Sequence, residues 1–334
     1  MKRIISLVGG CLLLAAGLGC EGKQIVTGGT SGPNKITMEL VGTGDQLVAR
    51  KKIDLARTFT MPDETLIDVW VMKARTGEHA PKPLGTMIVL HGLGESKANY
   101  FTVGENLARM GYDVVLIDLR MHGRSTGKYI TCGAKEKQDV KTIVDTLAKE
   151  GRITPEPLYV CGVSFGGATG IQYAAIEPKV RGVVAVAAWK DTVSKAHRDL
   201  GLLADQKKLE SALEEAGKLG DFDPMTTSAL IDIARLNCDV YLIHGLLDIS
   251  GVPVEDSQAL FAAANDPKKF HIITPGPEQM ALMLMWEQWL ADQADMVAKG
   301  KIKTKTADEP SPKTEPKPVE TPAEPIAPAT PPAK

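Results

Sequence analysis

Short apolar runs alternate with amphipathic segments along most of this chain. Residues 86–90, 112–117 and 158–161 are runs of four to six residues that are rich in aliphatic side chains. The segments 100–110 and 136–149 repeat apolar residues at helical spacing. Buried parallel strands read as continuous apolar runs, whereas half-exposed strands alternate apolar and polar residues. The alternation therefore predicts an α/β fold with a mostly parallel central sheet flanked by helices.

The alternation continues towards the C-terminus with one interruption. Further strand-like runs lie at 183–187, 240–243 and 270–273, and a closing helix is predicted over 280–298. Residues 190–236 are charged and helix-prone, without a strand-like run. We expect this segment to form a small helical cap over the carboxyl edge of the sheet. A surface excursion without contact to any site is the alternative.

The first twenty residues differ from the rest of the chain. Lys2 and Arg3 precede an apolar run over residues 4–18, and small residues follow up to Cys20. The run is too short and too early for an ordinary membrane span, so it predicts an export signal. Its Gly-Cys end resembles a bacterial lipoprotein signal, in which the cysteine is lipidated after cleavage, although Gly17 stands where such signals usually carry Leu. An ordinary secretory signal and an uncleaved anchor are the alternatives.

These patterns divide the chain into four parts. They are a signal (1–20), a Gly/Thr/Ser-rich tether (21–35), the α/β domain with its cap at about 190–236 (36–299), and a tail rich in Pro, Lys and Glu (300–334). The tail lacks the large apolar residues that would offset the entropy of ordering, so we expect disorder there. The expected location is the cell envelope, with a lipid anchor at Cys20 in a membrane. A periplasmic or secreted protein is the alternative.

Composition narrows the choice of partners and cofactors. The net charge is −2 and 43% of the residues are hydrophobic, which suits a sizeable core and gives no reason to expect a nucleic-acid partner. Cys132, Cys161 and Cys238 are irregularly spaced and form no paired metal-ligand pattern. We therefore predict neither a metal nor a cofactor.

One motif carries a specific chemical prediction. Residues 162–166 read Gly-Val-Ser-Phe-Gly, which matches G-x-S-x-G between a predicted strand and a predicted helix. A sharp turn in that setting lifts the Ser164 hydroxyl clear of the sheet, at a helix N-terminus that favours developing negative charge. The flanking glycines let the chain turn without a steric clash. Ser164 is therefore the candidate nucleophile, and an inert serine in a glycine-rich turn is the alternative.

Three further motifs resemble the α/β-hydrolase family, and the resemblance runs from about Phe59 to Leu290. They are His-Gly-Leu-Gly at 91–94, Asp-Leu-Arg-Met-His-Gly-Arg-Ser at 118–125 and His-Gly-Leu-Leu-Asp at 244–248. The chain looks similar to serine hydrolases of the prolyl-oligopeptidase and monoglyceride-lipase types. This resemblance implies that the backbone N–H groups of Leu93 and Phe165 form an oxyanion hole, and that Asp248 orients a catalytic histidine.

The third triad position departs from the family pattern. Relatives usually carry histidine after Pro-Gly-small-Gly in the loop beyond the last strand, whereas this chain has Gln279 there. Glutamine cannot accept a proton, and Glu278 is a weak base at neutral pH. His271 lies early in the last strand and is expected to point away from the serine. His91 and His122 have ordinary places in the family motifs and are interpreted as structural.

The sequence therefore favours an envelope serine hydrolase that acts on an ester, thioester or amide through a Ser164 acyl-enzyme. Its substrate would be a small molecule or a peptide. Two alternatives stay open. One is a catalytically silent binding lipoprotein with the same fold, which Gln279 favours. The other is acyl transfer from Ser164 to an acceptor other than water.

Overall fold

The computed structural model describes six stretches of the chain, and Glu21 and residues 277–283 are described by their backbone alone. The stretches are 21–27, 41–75, 82–201, 204–246, 251–275 and 277–301. The predicted signal with Cys20 lies outside the described residues. Residues 28–35 of the predicted tether and the tail beyond 301 lie outside them too, and so does Asp248.

Eight strands in the described part of the chain form one sheet. They are β1 (Leu55–Thr60), β2 (Leu66–Met72), β3 (Thr86–Leu90), β4 (Asp113–Ile117), β5 (Leu158–Val163), β6 (Val180–Val186), β7 (Asp239–Gly245) and β8 (Lys268–Ile273). Their spatial order is β1-β2-β4-β3-β5-β6-β7-β8. β2 pairs antiparallel with β1 and with β4, and the other neighbours pair in parallel. The predicted fold class, a mostly parallel sheet flanked by helices, is confirmed.

Helices connect most of these strands. They are α1 (Glu21–Thr27), α2 (Gly44–Ala49), α3 (Phe101–Arg109), α4 (Glu136–Lys149), α5 (Phe165–Ala174), α6 (Thr192–Leu200), α7 (Gln206–Gly220), α8 (Ala229–Ile233), α9 (Val254–Ala263) and α10 (Pro277–Ala298). A short 3₁₀ turn, Lys97–Tyr100, precedes α3. No helix among the described residues combines the length and apolar character needed to cross a membrane.

Alternate residues of the central strands pack into two apolar layers, one on each face of the sheet. All five residues of β3 are buried. Ile88 and Leu90 belong to one layer, whereas Met87 and Val89 belong to the other. Successive side chains of a strand point to opposite faces, so a strand that is covered on both faces is apolar at every position. This is why residues 87–90 of β3 form an unbroken apolar run.

The predicted cap segment is helical and contains α6, α7 and α8. The side chains of Asp191, Asp205 and Ser228 accept hydrogen bonds from the first turns of these three helices. Such capping satisfies backbone N–H groups that have no partner within the helix. An isolated antiparallel bridge joins Asp191 to Ser228. Polar capping residues thus fix where each cap helix begins.

Residues 21–27 correct the first part of the predicted tether, because they form helix α1 against the cap. Ile25 and Val26 are fully buried. Full burial of such an aliphatic side chain contributes about 1.5–3 kcal/mol. Two apolar residues in a polar segment show no periodicity, so this helix could not be predicted from the pattern of residues. Its buried residues share a cluster with apolar side chains of α6 and α7, namely Ala196, Leu209, Ala212, Leu213 and Ala216.

Candidate active site

Ser164 lies on the sharp turn between β5 and α5. Its backbone has φ 51° and ψ −111°, a combination that residues with a side chain rarely adopt. The Ser164 N–H donates to the Val186 carbonyl at 2.7 Å, and the Ser164 carbonyl accepts from the Ala168 N–H at 3.0 Å. These bonds tie the turn to β6 and to the first turn of α5. The surrounding structure therefore holds the strained conformation from both sides.

Gly162 and Gly166 are required because the chain packs closely on both sides of Ser164. A Cβ on Gly162 would lie 2.3 Å from the Gly166 carbonyl oxygen, and a Cβ on Gly166 would lie 2.2 Å from the Leu90 carbonyl oxygen. Only glycine permits backbones to approach this closely. The motif thus brings the N-terminus of α5 against the carboxyl end of β3, where the loop containing Leu93 begins.

Glu95 fixes the loop that follows β3. Its Oε2 accepts a hydrogen bond from the Gly92 N–H at 2.8 Å and another from the Tyr100 hydroxyl at 2.7 Å. Burial raises the pKa of the Glu95 carboxyl. The two bonds hold the turn on which Leu93 lies. Glu95 belongs to none of the sequence motifs above, although a carboxylate shortly after a Gly-x-Gly loop at a strand end is a signal that could have identified it.

Two backbone N–H groups near Ser164 have no partner in the described part of the chain. They belong to Leu93, in the loop after β3, and to Phe165, the first residue of α5. The Ser164 side chain is half-buried, and its hydroxyl likewise makes no hydrogen bond with a described residue. The first N–H groups of a helix lack intrahelical acceptors and favour negative charge. Such donors can stabilise an oxyanion that forms on a carbon bonded to the serine oxygen.

A buried ion cluster joins the loop after β3 to the turn after β4. Lys97 Nζ lies 2.5 Å from both Asp118 Oδ2 and Asp68 Oδ1, and 4.7 Å from the centroid of the Trp70 ring. Asp118 also accepts the N–H groups of Lys97 at 2.7 Å and of Arg124 at 2.8 Å. The aspartate that opens the motif at 118–125 therefore positions backbone and does not face Ser164 as a proton acceptor.

His91 and His122 have structural contacts. His91 Nε2 accepts the Leu119 N–H at 2.9 Å, so its Nδ1 carries the proton and donates to the Gly92 carbonyl at 2.8 Å. Burial, followed by the nearby His122 imidazole, holds the pKa of His91 well below its usual range. Burial also lowers the pKa of His122, whose Nδ1 lies 2.7 Å from the Arg120 carbonyl oxygen. Its buried Nε2 has no partner within the described ranges.

Of the predicted triad positions, Ser164 is the one whose side chain is described. Asp248 lies outside the described residues. Gln279 lies in the first turn of α10 rather than in a loop, and its side chain is outside the description. His271 lies on β8, three strands away from β5, which at about 4.8 Å per strand amounts to roughly 14 Å. This spacing separates His271 from the strand that leads to Ser164.

The chain that enters the cap contacts the candidate site. Trp189, just after β6, stacks on Phe165 with ring centroids 5.4 Å apart and an interplanar angle of 22°. The ring of His122 lies 5.8 Å from the Phe165 ring. Phe165 is therefore packed between the base of the cap and the turn after β4. This packing fixes the orientation of Phe165, the first residue of α5, which directly follows Ser164 in the sequence.

Sequence comparisons show that the central part of the chain is similar to hydrolases and to a probable acetyltransferase. Residues 81–213 match the serine aminopeptidase family S33. A probable alcohol acetyltransferase from Saccharomyces cerevisiae is 32% identical over 107 residues, which cover 32% of this chain and 30% of that protein. A monoacylglycerol lipase from Mycolicibacterium smegmatis is 31% identical over 98 residues, which cover 29% of this chain and 34% of the lipase. The chain thus covers no more than 34% of either relative's length.

Solved structures share the fold over most of the chain. An esterase from Pyrococcus furiosus superposes with a TM-score of 0.55 at 21% identity, and the match covers 75% of this chain and 95% of the esterase. An α/β hydrolase from Penicillium gives a TM-score of 0.55 at 19% identity, covering 73% of this chain and 98% of that hydrolase. The chain therefore has the α/β-hydrolase fold. The segment that matches the family includes both Leu93 and Ser164.

Proposed function

We propose that this protein is an envelope serine hydrolase that cleaves an ester, thioester or amide through a covalent acyl group on Ser164. The observation that carries the proposal is the backbone conformation of Ser164, with φ 51° and ψ −111°, on a strand-to-helix turn. Strained residues that are held in place by the surrounding structure cluster at functional sites. The similarity to a lipase and to a probable acetyltransferase over about 100 residues supports acyl chemistry.

In the proposed reaction, the Ser164 oxygen attacks the carbonyl carbon of the substrate and its proton passes to a base. The N–H groups of Leu93 and Phe165 stabilise the oxyanion of the tetrahedral intermediate. The leaving group takes up a proton and departs, and water then hydrolyses the acyl-enzyme by the same route. Asp248 would orient the base, as its place in the sequence motif implies.

Gln279 makes slow turnover the expected behaviour. Loss of a triad histidine costs on the order of 10⁶ in turnover, although an oxyanion hole and substrate binding alone can leave roughly 10³–10⁴ over the reaction in water. The enzyme would therefore act on a reactive acyl group or turn over rarely. Acceptance of the acyl group by a molecule other than water would proceed from the same intermediate.

Attachment to a membrane is part of the proposal. The N-terminal pattern ending at Cys20 supports export and lipidation at that residue, which would place the hydrolase at the surface of an envelope membrane. Substrates would then be small molecules or peptides of the envelope.

A fluorophosphonate probe tests the proposal, because it reacts with an activated serine and forms a stable bond. We expect slow, stoichiometric labelling of the full chain, no labelling of the Ser164→Ala variant, and faster labelling of Gln279→His. Intact-protein mass spectrometry measures all three, and circular dichroism checks that each variant is folded. A folded wild-type protein that stays unlabelled would contradict hydrolase activity.

The second candidate function is a catalytically silent binding protein, and the glutamine at position 279 favours it. In that case the wild-type chain would not react with the probe, and Gln279→His would gain labelling from none. A gain of this kind would show that the turn at Ser164 and its N–H donors are intact and that the base alone is missing.

A further inference from the structure

Helix α1 is bound to the cap by specific backbone contacts. The Gly22 N–H donates to Glu215 Oε2 of α7 at 2.9 Å. A Cβ on Gly22 would lie 2.4 Å from the Glu215 Cβ and 2.7 Å from the Ala212 carbonyl oxygen, so α1 and α7 are in direct backbone contact. Glycine at this position is therefore required by the contact between the two helices.

The other end of α1 is held by a buried lysine and by the loop after β4. Lys195 Nζ, on α6, donates to the Ile25 carbonyl at 3.1 Å and pairs with Asp199. The Ile130 N–H donates to the Val26 carbonyl at 2.8 Å. Because Lys195 is almost fully buried, its charge depends on these partners, and α1 supplies one of them. Helix α1 is thus a structural part of the cap.

The position of α1 in the sequence gives this contact a further meaning. Cys20, the predicted lipidation site, directly precedes Glu21, so only two peptide bonds separate Cys20 from Gly22. At about 3.8 Å per residue, the Cα atom of Cys20 lies within roughly 8 Å of the Cα atom of Gly22, which contacts α7. The predicted tether would have allowed the domain to move away from the membrane. Because α1 is packed on the cap, no flexible linker separates Cys20 from the cap.

We infer that the cap is the part of this domain that faces the membrane, and that α1 fixes this orientation. The partner is a lipid bilayer, joined to the chain at Cys20 or through an uncleaved apolar segment before it. This inference rests on the membrane attachment included in the proposed function, and it is independent of the chemistry at Ser164. The cap is connected to the carboxyl end of β6, on the same edge of the sheet as Ser164. The orientation therefore turns the candidate site towards the membrane side.

Site-specific quenching can test this orientation. Ser211, on the exposed face of α7, and Lys149, at the end of α4, are replaced one at a time with Cys and labelled with a fluorophore. Lys149 lies towards the amino edge of the sheet, since the segment after it bonds through Thr154 to Asp113 at the start of β4. The length of a six-residue strand, about 20 Å, separates the two edges.

The three native cysteines in the described part of the chain do not interfere with this labelling. Cys132, Cys161 and Cys238 are buried, and burial raises the pKa of each thiol to about 12. Thiolate is the reactive form, so the introduced surface cysteine reacts first.

The full chain, purified with its native N-terminus, is reconstituted in phosphatidylcholine vesicles that carry a nitroxide on the lipid headgroup. We expect the label at position 211 to lose most of its fluorescence and the label at position 149 to keep most of it. The side chain of Gly22→Val would clash with α7, so we expect this variant to release α1 from the cap and to keep its attachment to the membrane. In that background we expect the difference between the two labels to disappear.

The outcomes separate the two proposals. Equal quenching at both positions in protein that floats with the vesicles would overturn the orientation and leave membrane attachment standing. Protein that does not float with the vesicles would overturn both the attachment and the orientation. If Gly22→Val fails to fold, as judged by circular dichroism, the comparison of the two labels in the otherwise native chain decides by itself.

Discussion

Replacing Gly166 with Ala perturbs the contact between the turn at Ser164 and the loop after β3. The added Cβ would lie 2.2 Å from the Leu90 carbonyl oxygen and 2.6 Å from the His91 carbonyl oxygen. Both neighbours are backbone atoms at the end of a buried central strand, so neither can rotate away. The methyl group can be accommodated only if α5 withdraws from β3.

The size of the effect follows from these distances. A carbon and a carbonyl oxygen in contact lie about 3.3 Å apart, so the start of α5 must move by roughly 1 Å. Overpacking of this kind costs about 1–3 kcal/mol, and we expect about 3 kcal/mol because the clash is with backbone. The same movement separates the Phe165 N–H from the Leu93 N–H. A misplacement of about 1 Å in an active site can reduce the rate about 10²-fold.

Gly167→Ala is the matched control, since its Cβ would lie 3.1 Å from the Ala188 Cβ and requires only a small adjustment. Urea unfolding followed by circular dichroism measures the loss of stability, and the rate of fluorophosphonate labelling measures the site. We expect Gly166→Ala to lower both the free energy of unfolding and the labelling rate. We expect Gly167→Ala to stay close to the wild type in both. Equal stability of the two variants would refute the packing argument, whatever the labelling shows.

Two further predictions concern buried charges. Lys97→Met leaves the buried carboxylate of Asp118 without its cation and leaves Asp68 with a single cationic partner among the described residues, Arg124, whose Nε lies 3.8 Å away. This should cost about 3–5 kcal/mol in urea unfolding at neutral pH. A loss below about 1 kcal/mol would contradict the ion cluster. His91 has a folded-state pKa well below that of the unfolded chain, so the unfolded state binds more protons below about pH 6.5 and stability falls on acidification. Stability should therefore fall as the pH drops from 7.5 to 5.5, and this dependence, measured by urea unfolding, should be weaker in His91→Gln.

Features set by local pattern could be predicted from the sequence. A nearly continuous apolar run such as β3 predicts a strand that is covered on both faces, because side chains that point to either face must be apolar to be buried. The motif at 162–166 predicts the turn between β5 and α5, because the glycines and the serine act within a few residues of each other. The fold class follows from the order of such segments.

Contacts between distant segments could not be predicted in this way. The bond from Gly22 to Glu215 joins residues 193 positions apart, and neither residue belongs to a motif. The role of Glu95 depends on Tyr100 folding back over the loop, which spacing alone does not indicate. Comparison with the family motif shows that Gln279 stands where relatives carry histidine. Its effect on the activity of Ser164 depends on the groups around that serine, which the motif does not specify.

The backbone angles along the carboxyl edge of the sheet have a consequence for protein engineering. Met121, Ser164 and Ala187 follow three different strands, and each has a positive φ, at 68°, 51° and 49°. A residue with a side chain in such a conformation costs about 1–3 kcal/mol, and the rest of the fold must supply that energy. Further destabilising substitutions along this edge will therefore leave only a small free energy of unfolding. Variant libraries aimed at this edge should start from a background strengthened elsewhere, on the helices and the opposite edge.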